Sequence, residues 1–209
     1  MSKLLAIWSS PRGEMSYSTK ASEAFLAEYR QTHSGDTVDS FNVFNLKLPT
    51  YDGFTLDAKY KILHGKDHSE EEKEAWQEVV TVIDRFKSAD KYLFSLPMWN
   101  FTIPYALKQY IDVLVQPGYT FSYTPEEGFK GLVTGKPACV ICARGGEYPE
   151  GSEGAALDFQ MPYMKTILGF IGFTDIRFIV IEPTLSAPDA VKKTEEEAIR
   201  KARELARDF

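Results

Sequence analysis

Three short segments carry side chains able to hold an anion and a planar ring. The first, "SSPRGEMSYS" over 9–18, places Ser10, Ser16 and Ser18 just ahead of a long amphipathic stretch. Hydroxyls beside the unpaired N–H groups and positive dipole end of a helix suit a phosphate. A serine at 16 or 18 is also expected to cap that helix, so only the surplus of hydroxyls speaks for an anion. The second, "PMWNFTIP" over 97–104, sets Met98, Trp99, Asn100 and Phe101 between two stiffening prolines. Trp99 and Phe101 can stack on a flat heterocycle while Asn100 bonds its polar edge. In the third, "ARGGEY" over 143–148, Gly145 and Gly146 let the backbone approach a ligand closely. Their N–H groups would stabilise a ring that gains negative charge on reduction.

Other candidate motifs lead elsewhere. Cys139 and Cys142 form "CVIC" inside an apolar run that reads as a strand, where residues three apart point to opposite faces. A disulfide or shared metal is geometrically awkward there, and both read as core. "GLVTGKPA" from Gly131 has its glycines too close for a nucleotide-binding P-loop, puts Pro137 after Lys136, and leads into a strand. No G-x-G-x-x-G occurs. His33, His64 and His68 give no cluster: His64 and His68 are four apart, but their segment contains Gly65 and reads as a loop, so no metal is expected. "SEEEKE" reads as a helix start favoured by the dipole.

These segments sit among alternating strands and helices. Strands are expected at 3–8, 37–44, 91–96, 138–143 and 175–181. Helices are expected at about 18–33, 69–87, 105–115, 156–171 and 188–206. Ser69 and Glu72 have the spacing of a capping box, and Ala75, Val79, Val82, Ile83 and Phe86 supply a buried face behind them. Parallel strands need crossovers, so this order predicts a doubly wound α/β fold of the flavodoxin-like kind. Its five parallel strands would run 2-1-3-4-5, with helices on both faces. Ligands bind such sheets beyond the carboxyl ends of the strands, at the switch in strand order, which is where all three segments fall. The connections 45–68 and 116–136 read as structureless and long enough to act as lids, binding loops or interface elements.

The whole chain, 1–209, is expected to form one domain. Its 24 basic against 30 acidic residues give a net charge of -6, which opposes the phosphate contacts of nucleic-acid binding. Apolar runs such as "ILGFIGF" fall far short of the roughly 18 residues of a membrane span, and no signal peptide opens the chain. A cytoplasmic protein with no membrane or nucleic-acid partner is expected.

A phosphate pocket, a ring slot and a donor pair at one sheet edge describe bound flavin mononucleotide. "SSPRGEMSYS", "PMWNFTIPYALKQYID", "GYTFSYTPEEGFKGLVTGKPACVICARGG" and "LGFIGFTDIRFI" together resemble the FMN-dependent NADH-azoreductases of the flavodoxin-like quinone reductase superfamily. The resemblance implies that Ser10, Ser16, Tyr17 and Ser18 hold the FMN phosphate. It implies that Met98, Trp99, Asn100 and Phe101 line the ring, and that Ala143, Arg144, Gly145 and Gly146 contact its far edge. Trp99 stands where the family often has Tyr, and Ala143 where it often has Ser, which leaves backbone donors at 143. The family's pattern further implies one tightly bound FMN per subunit of a homodimer, NADH or NADPH as donor, and a ping-pong transfer of hydride to quinones or azo compounds. Phe101 and Tyr123 would flank the acceptor, and no side chain need act as acid or base. Two alternatives stand beside this reading: a flavodoxin-like electron carrier, whose phosphate loop would be shorter and threonine-rich, and a cofactor-free module that has kept the fold.

Overall fold

The alternation in "KLLAIW" sends Leu4 and Ala6 to one face of the first strand, β1 (Lys3–Trp8), and Leu5 and Ile7 to the other, all of them buried. A strand buried on both faces belongs inside a parallel sheet, and the computed structural model places it there. The described residues are 1–50, 52–63, 66–67 and 69–209, without the side chains of Ile62 and Leu63. The proposed His64–His68 comparison therefore lies outside them.

The chain continues through α1 (Tyr17–Thr32), β2 (Thr37–Asn42), α2 (Gly53–Leu63), α3 (Glu70–Lys87), β3 (Lys91–Pro97) and α4 (Tyr105–Leu114). It then forms β4 (Phe121–Thr124), β5 (Gly128–Gly131), β6 (Ala138–Ala143), α5 (Met161–Ile171), β7 (Ile176–Ile181) and α6 (Pro188–Arg207). The main sheet has the parallel order β2-β1-β3-β6-β7, which is 2-1-3-4-5 once β4 and β5 are set aside. On one face Leu4, Ala6, Leu93 and Ile141 pack with Phe25, Leu26 and Tyr29 of α1 and with Ala198, Ala202 and Ala206 of α6. On the other, Leu5, Ile7, Phe94 and Val140 meet residues of α3, α4 and α5, including Trp76, Ile83, Tyr110 and Leu168. Cys139 and Cys142 fall into these two opposite clusters and are free; burial pushes both thiols up, Cys142 to about 12, so neither is a nucleophile at neutral pH.

Neither long connection is structureless. Segment 45–68 contains α2, held from outside itself: Lys61 Nζ lies 2.6 Å from the carboxylate of Glu72, and Ala58 is fully buried. That same Glu72 closes the expected capping box with Ser69 at the head of α3. Segment 116–136 folds into the antiparallel hairpin β4–β5, whose Phe121 and Phe129 rings pack at a tilt against Phe170 of α5, with centroids 4.9 and 5.6 Å away. Gly131 explains the false nucleotide-loop motif. A Cβ there would stand 2.3 Å from the backbone nitrogen of Gly172, so its hydrogen lets the hairpin lie against the end of α5.

Smaller corrections have local causes. β2 stops at Asn42, short of Phe44, because the Asn42 side chain accepts from Phe44 N and turns the chain. The helix expected from 156 starts at Met161, after a 3₁₀ turn over Glu153–Leu157. On α3 it is Trp76 that is buried with Val79, Ile83 and Phe86, while Ala75 and Val82 are half-buried. Among the described residues no helix is long and apolar enough to cross a membrane.

Candidate functional site

β1, β3 and β6 are neighbours, and the chain leaves β1 on one side to form β2 and returns on the other to form β3. The carboxyl ends of these strands are joined at their tips: Ser9 N donates to Ser95 O (2.9 Å) and Met98 N to Ala143 O (2.7 Å). The three segments singled out in the sequence thus start from one rigid edge. Between them lies a cavity of about 350 Å³, lined by Ser10, Arg12, Ser16, Tyr17, Pro97, Met98, Trp99, Ala143, Gly145, Thr184 and Leu185. That volume is in the range of about 300–1,000 Å³ expected of ligand clefts.

The serine segment departs from the simple capping picture. Ser16 is the N-cap of α1, yet its hydroxyl makes no capping bond; it lies 3.1 Å from the hydroxyl of Ser18 instead. The first-turn N–H groups of α1 are therefore not satisfied by the side chain placed to do so, and of the two paired hydroxyls one keeps its proton free to donate elsewhere. Asn42, at the end of β2, donates to Ser10 O (2.7 Å) and fixes the bend of this segment. Ser18 is fully buried and reaches the cavity only through Ser16.

The aromatic segment is strained where the serine segment is relaxed. Trp99 and Thr102 exchange both backbone hydrogen bonds, at 2.9 and 3.0 Å, around Asn100 and Phe101. These two residues have φ of 46° and 70°. Such a turn is natural for Asn-Gly and costly for a bulky second residue. The turn directs Trp99 into the cavity, where its other neighbours are Phe44 and Tyr105 at 5.7 and 6.2 Å. Phe101 stands 44% exposed. Asn100 does not line this cavity but an adjoining one of about 410 Å³ with Tyr105, Lys108 and Tyr163. Tyr123 lines neither; it projects from the hairpin, 4.9 Å from Phe129.

The glycine segment is held from below. Arg144 N donates to Ile181 O (2.9 Å), and Arg144 O accepts from both Thr184 N and Thr184 Oγ1 (2.8 Å each). The Arg144 guanidinium is buried, facing Asp158, Gln160 and Glu182. A Cβ on Gly145 would come 2.8 Å from Leu185 Cδ1, so this glycine makes room for the leucine that walls the cavity. Thr184 and Leu185 carry no signal in the sequence, whereas Arg12, which the sequence leaves open between solvent and the phosphate, is exposed and lines the cavity. The first two follow β7, the next strand along the same edge, and the sheet-end rule extends to that loop.

The donor set suits FMN: hydroxyls and a helix N-terminus for the phosphate, an apolar and aromatic slot for the ring, and a glycine turn beyond it. Among the described residues no group of acidic, His and Cys side chains could hold a metal ion.

A doubly wound parallel sheet of this order, with a cavity at its switch point, defines a flavodoxin-like protein. The chain belongs to the Flavodoxin-like fold family, whose model matches residues 2–206. It is 46% identical over 209 residues to an FMN-dependent NADH:quinone oxidoreductase of Desulfotalea psychrophila, covering 98% of each chain. The azoreductase of Bacillus anthracis strain Sterne superposes over all of both chains with a TM-score of 0.91 at 35% identity. An FMN-dependent NADH-azoreductase of Bacillus anthracis strain Ames Ancestor, solved in complex with FMN, matches with a TM-score of 0.86 at 28% identity, covering 99% of this chain and 100% of that one.

Proposed function

We propose that this chain, as one domain over 1–209, is a cytoplasmic FMN-dependent oxidoreductase carrying hydride from NADH or NADPH to quinones and azo compounds. The observation that carries the reading is the Ser16 hydroxyl at the head of α1, paired with Ser18 instead of capping the helix and opening into the same cavity as Trp99. The names of the relatives agree with it. When bound, the flavin supplies a ring that takes up and gives back two electrons with a proton. The protein's part is placement. Ser10, Ser16, Tyr17 and Ser18 with the N–H groups of α1 would hold the phosphate. Met98 and Trp99 would wall the ring, Asn100 and Phe101 would close its outer side, and 143–146 would present N–H donors to its far edge.

The resemblance to the azoreductases implies that no side chain need act as acid or base and that donor and acceptor would use one open face in turn, a ping-pong order. A homodimer with one FMN per subunit is what the family resemblance implies, and the exposed Phe101, Tyr105, Tyr123, Phe129 and Phe159 are apolar side chains that a second copy could cover. A second copy would bring Tyr123 to the acceptor side that Phe101 begins. The test is steady-state NADH oxidation by the FMN-loaded protein with a quinone as acceptor. Parallel double-reciprocal lines at several quinone concentrations are expected. Loaded protein that oxidises neither NADH nor NADPH would leave the electron-carrier reading in its place.

A further inference from the structure

Arg144 stands between Ala143 and Gly145 of the cavity lining and is buried, with only 2% of its side chain exposed. An isolated guanidinium cannot be kept there, and three partners from two other segments share it. Nη2 lies 3.0 Å from Asp158 Oδ2, Nε donates to Gln160 Oε1 (3.1 Å), and Nη1 lies 3.4 Å from Glu182 Oε2. Asp158 is itself committed: its second oxygen accepts from Gln160 N (3.0 Å) and Met161 N (3.1 Å) at the start of α5. The next residue, Phe159, donates its N–H to Phe101 O at 3.0 Å, inside the strained aromatic turn. The main chain of Arg144 meanwhile carries Thr184, and that of Gly145 carries Leu185.

We propose that Arg144 is a positioning residue that holds the glycine turn, the aromatic turn and the Thr184–Leu185 wall in one frame, through Asp158, Gln160 and Glu182. The inference rests on the flavin reading of the cavity. The guanidinium is turned to two carboxylates inside the protein, and so acts on the ring end through the backbone it anchors. None of the hydrogen bonds or ion pairs of this frame reaches the serine segment, so the phosphate end lies outside it.

The experiment measures binding of FMN and of riboflavin, by quenching of flavin fluorescence, to the full chain and to Asp158→Asn, Glu182→Gln, Arg144→Met, Arg144→Lys and the Arg144→Met/Asp158→Asn pair. Asp158→Asn is expected to weaken both flavins by about tenfold and Arg144→Met by more. The pair should be no weaker than Arg144→Met alone, since both changes break one network. The ratio of FMN to riboflavin affinity should stay constant throughout, and the absorbance bands of the bound flavin should shift in each weakened variant. Arg144→Lys should recover only part of the loss, because an ammonium cannot present the planar fork. The isosteric variants Asp158→Asn and Glu182→Gln keep the test open where Arg144→Met fails to fold. Wild-type affinity in Asp158→Asn alongside a loss in Arg144→Met would make Arg144 a direct ligand and overturn the proposal. So would a loss confined to FMN with riboflavin unaffected. Wild-type protein that takes up neither flavin would instead remove the flavin reading on which the inference stands.

Discussion

The serine segment at 9–18 and the aromatic turn at 99–102 border one cavity and are built in opposite ways. In the first, the backbone is relaxed and the hydroxyls are spent only on one another: Ser16 sits at an N-cap without capping and pairs with Ser18. In the second, the backbone bonds are complete and the strain is concentrated in two residues with positive φ, one of them a phenylalanine. The difference suits the two ends of a flavin. A phosphate is recognised by donors that gain a partner on binding, whereas a ring is recognised by a surface already fixed in place.

The comparison breaks most sharply at Ser16. Ser16→Asp should improve the helix cap and stabilise the protein without ligand by about 0.5–1 kcal/mol. The same carboxylate would face the phosphate, and FMN affinity should fall by about 4 kcal/mol, roughly a thousandfold. Thermal melting and FMN titration of the one variant would thus move in opposite directions. Had the hydroxyl been a structural cap only, both would change little.

Trp99→Ala probes the ring end. Loss of an aromatic stacking surface costs about 1–3 kcal/mol, and that loss should appear equally in FMN and riboflavin binding. A change seen with FMN alone would place Trp99 at the wrong end.

Phe101→Gly separates strain from use. Glycine accepts the φ of 70° without penalty, so melting should hold or rise, by up to about 1 kcal/mol of stability. Quinone turnover should fall several-fold, on the order of 1 kcal/mol of lost contact. A variant with unchanged turnover would remove Phe101 from the acceptor side.

Gly145→Ala should have the smallest effect, because the neighbour its Cβ would strike is the end of the exposed Leu185 side chain. FMN affinity should drop by less than about tenfold, under 1.4 kcal/mol. The Gly145→Ala/Leu185→Ala pair should restore it; a loss that persists in the pair would mean that the alanine meets the ligand itself.

Much of this was legible because it rests on short-range chemistry. Strand alternation placed β1 and β6, the Ser69–Glu72 spacing marked the head of α3, and the sheet-end rule brought three segments to one crevice. What escaped depends on partners distant in sequence. α2 owes its place to Lys61 meeting Glu72, and the hairpin to Phe170 and to the contact between Gly131 and Gly172. Ser16 has the type and position of a cap, but its hydroxyl turns to Ser18. No local pattern reports that choice. Arg144 was placed at the flavin by resemblance, while its charge is spent on Asp158 and Glu182, acids that are 14 and 38 positions away.

The account turns on the serine segment recognising a phosphate. Its most direct measurement is the affinity of the full chain for FMN against riboflavin, which lacks the phosphate, repeated in Ser16→Ala/Ser18→Ala. Removing both hydroxyls of a mutually paired couple should cost the fold little. The wild-type protein should prefer FMN by about 10²-fold or more, as a hydrogen bond to a charged group from Ser16, polarised by Ser18 behind it, would give, and the double variant should lose most of that preference. Equal preference in the two proteins would contradict the account.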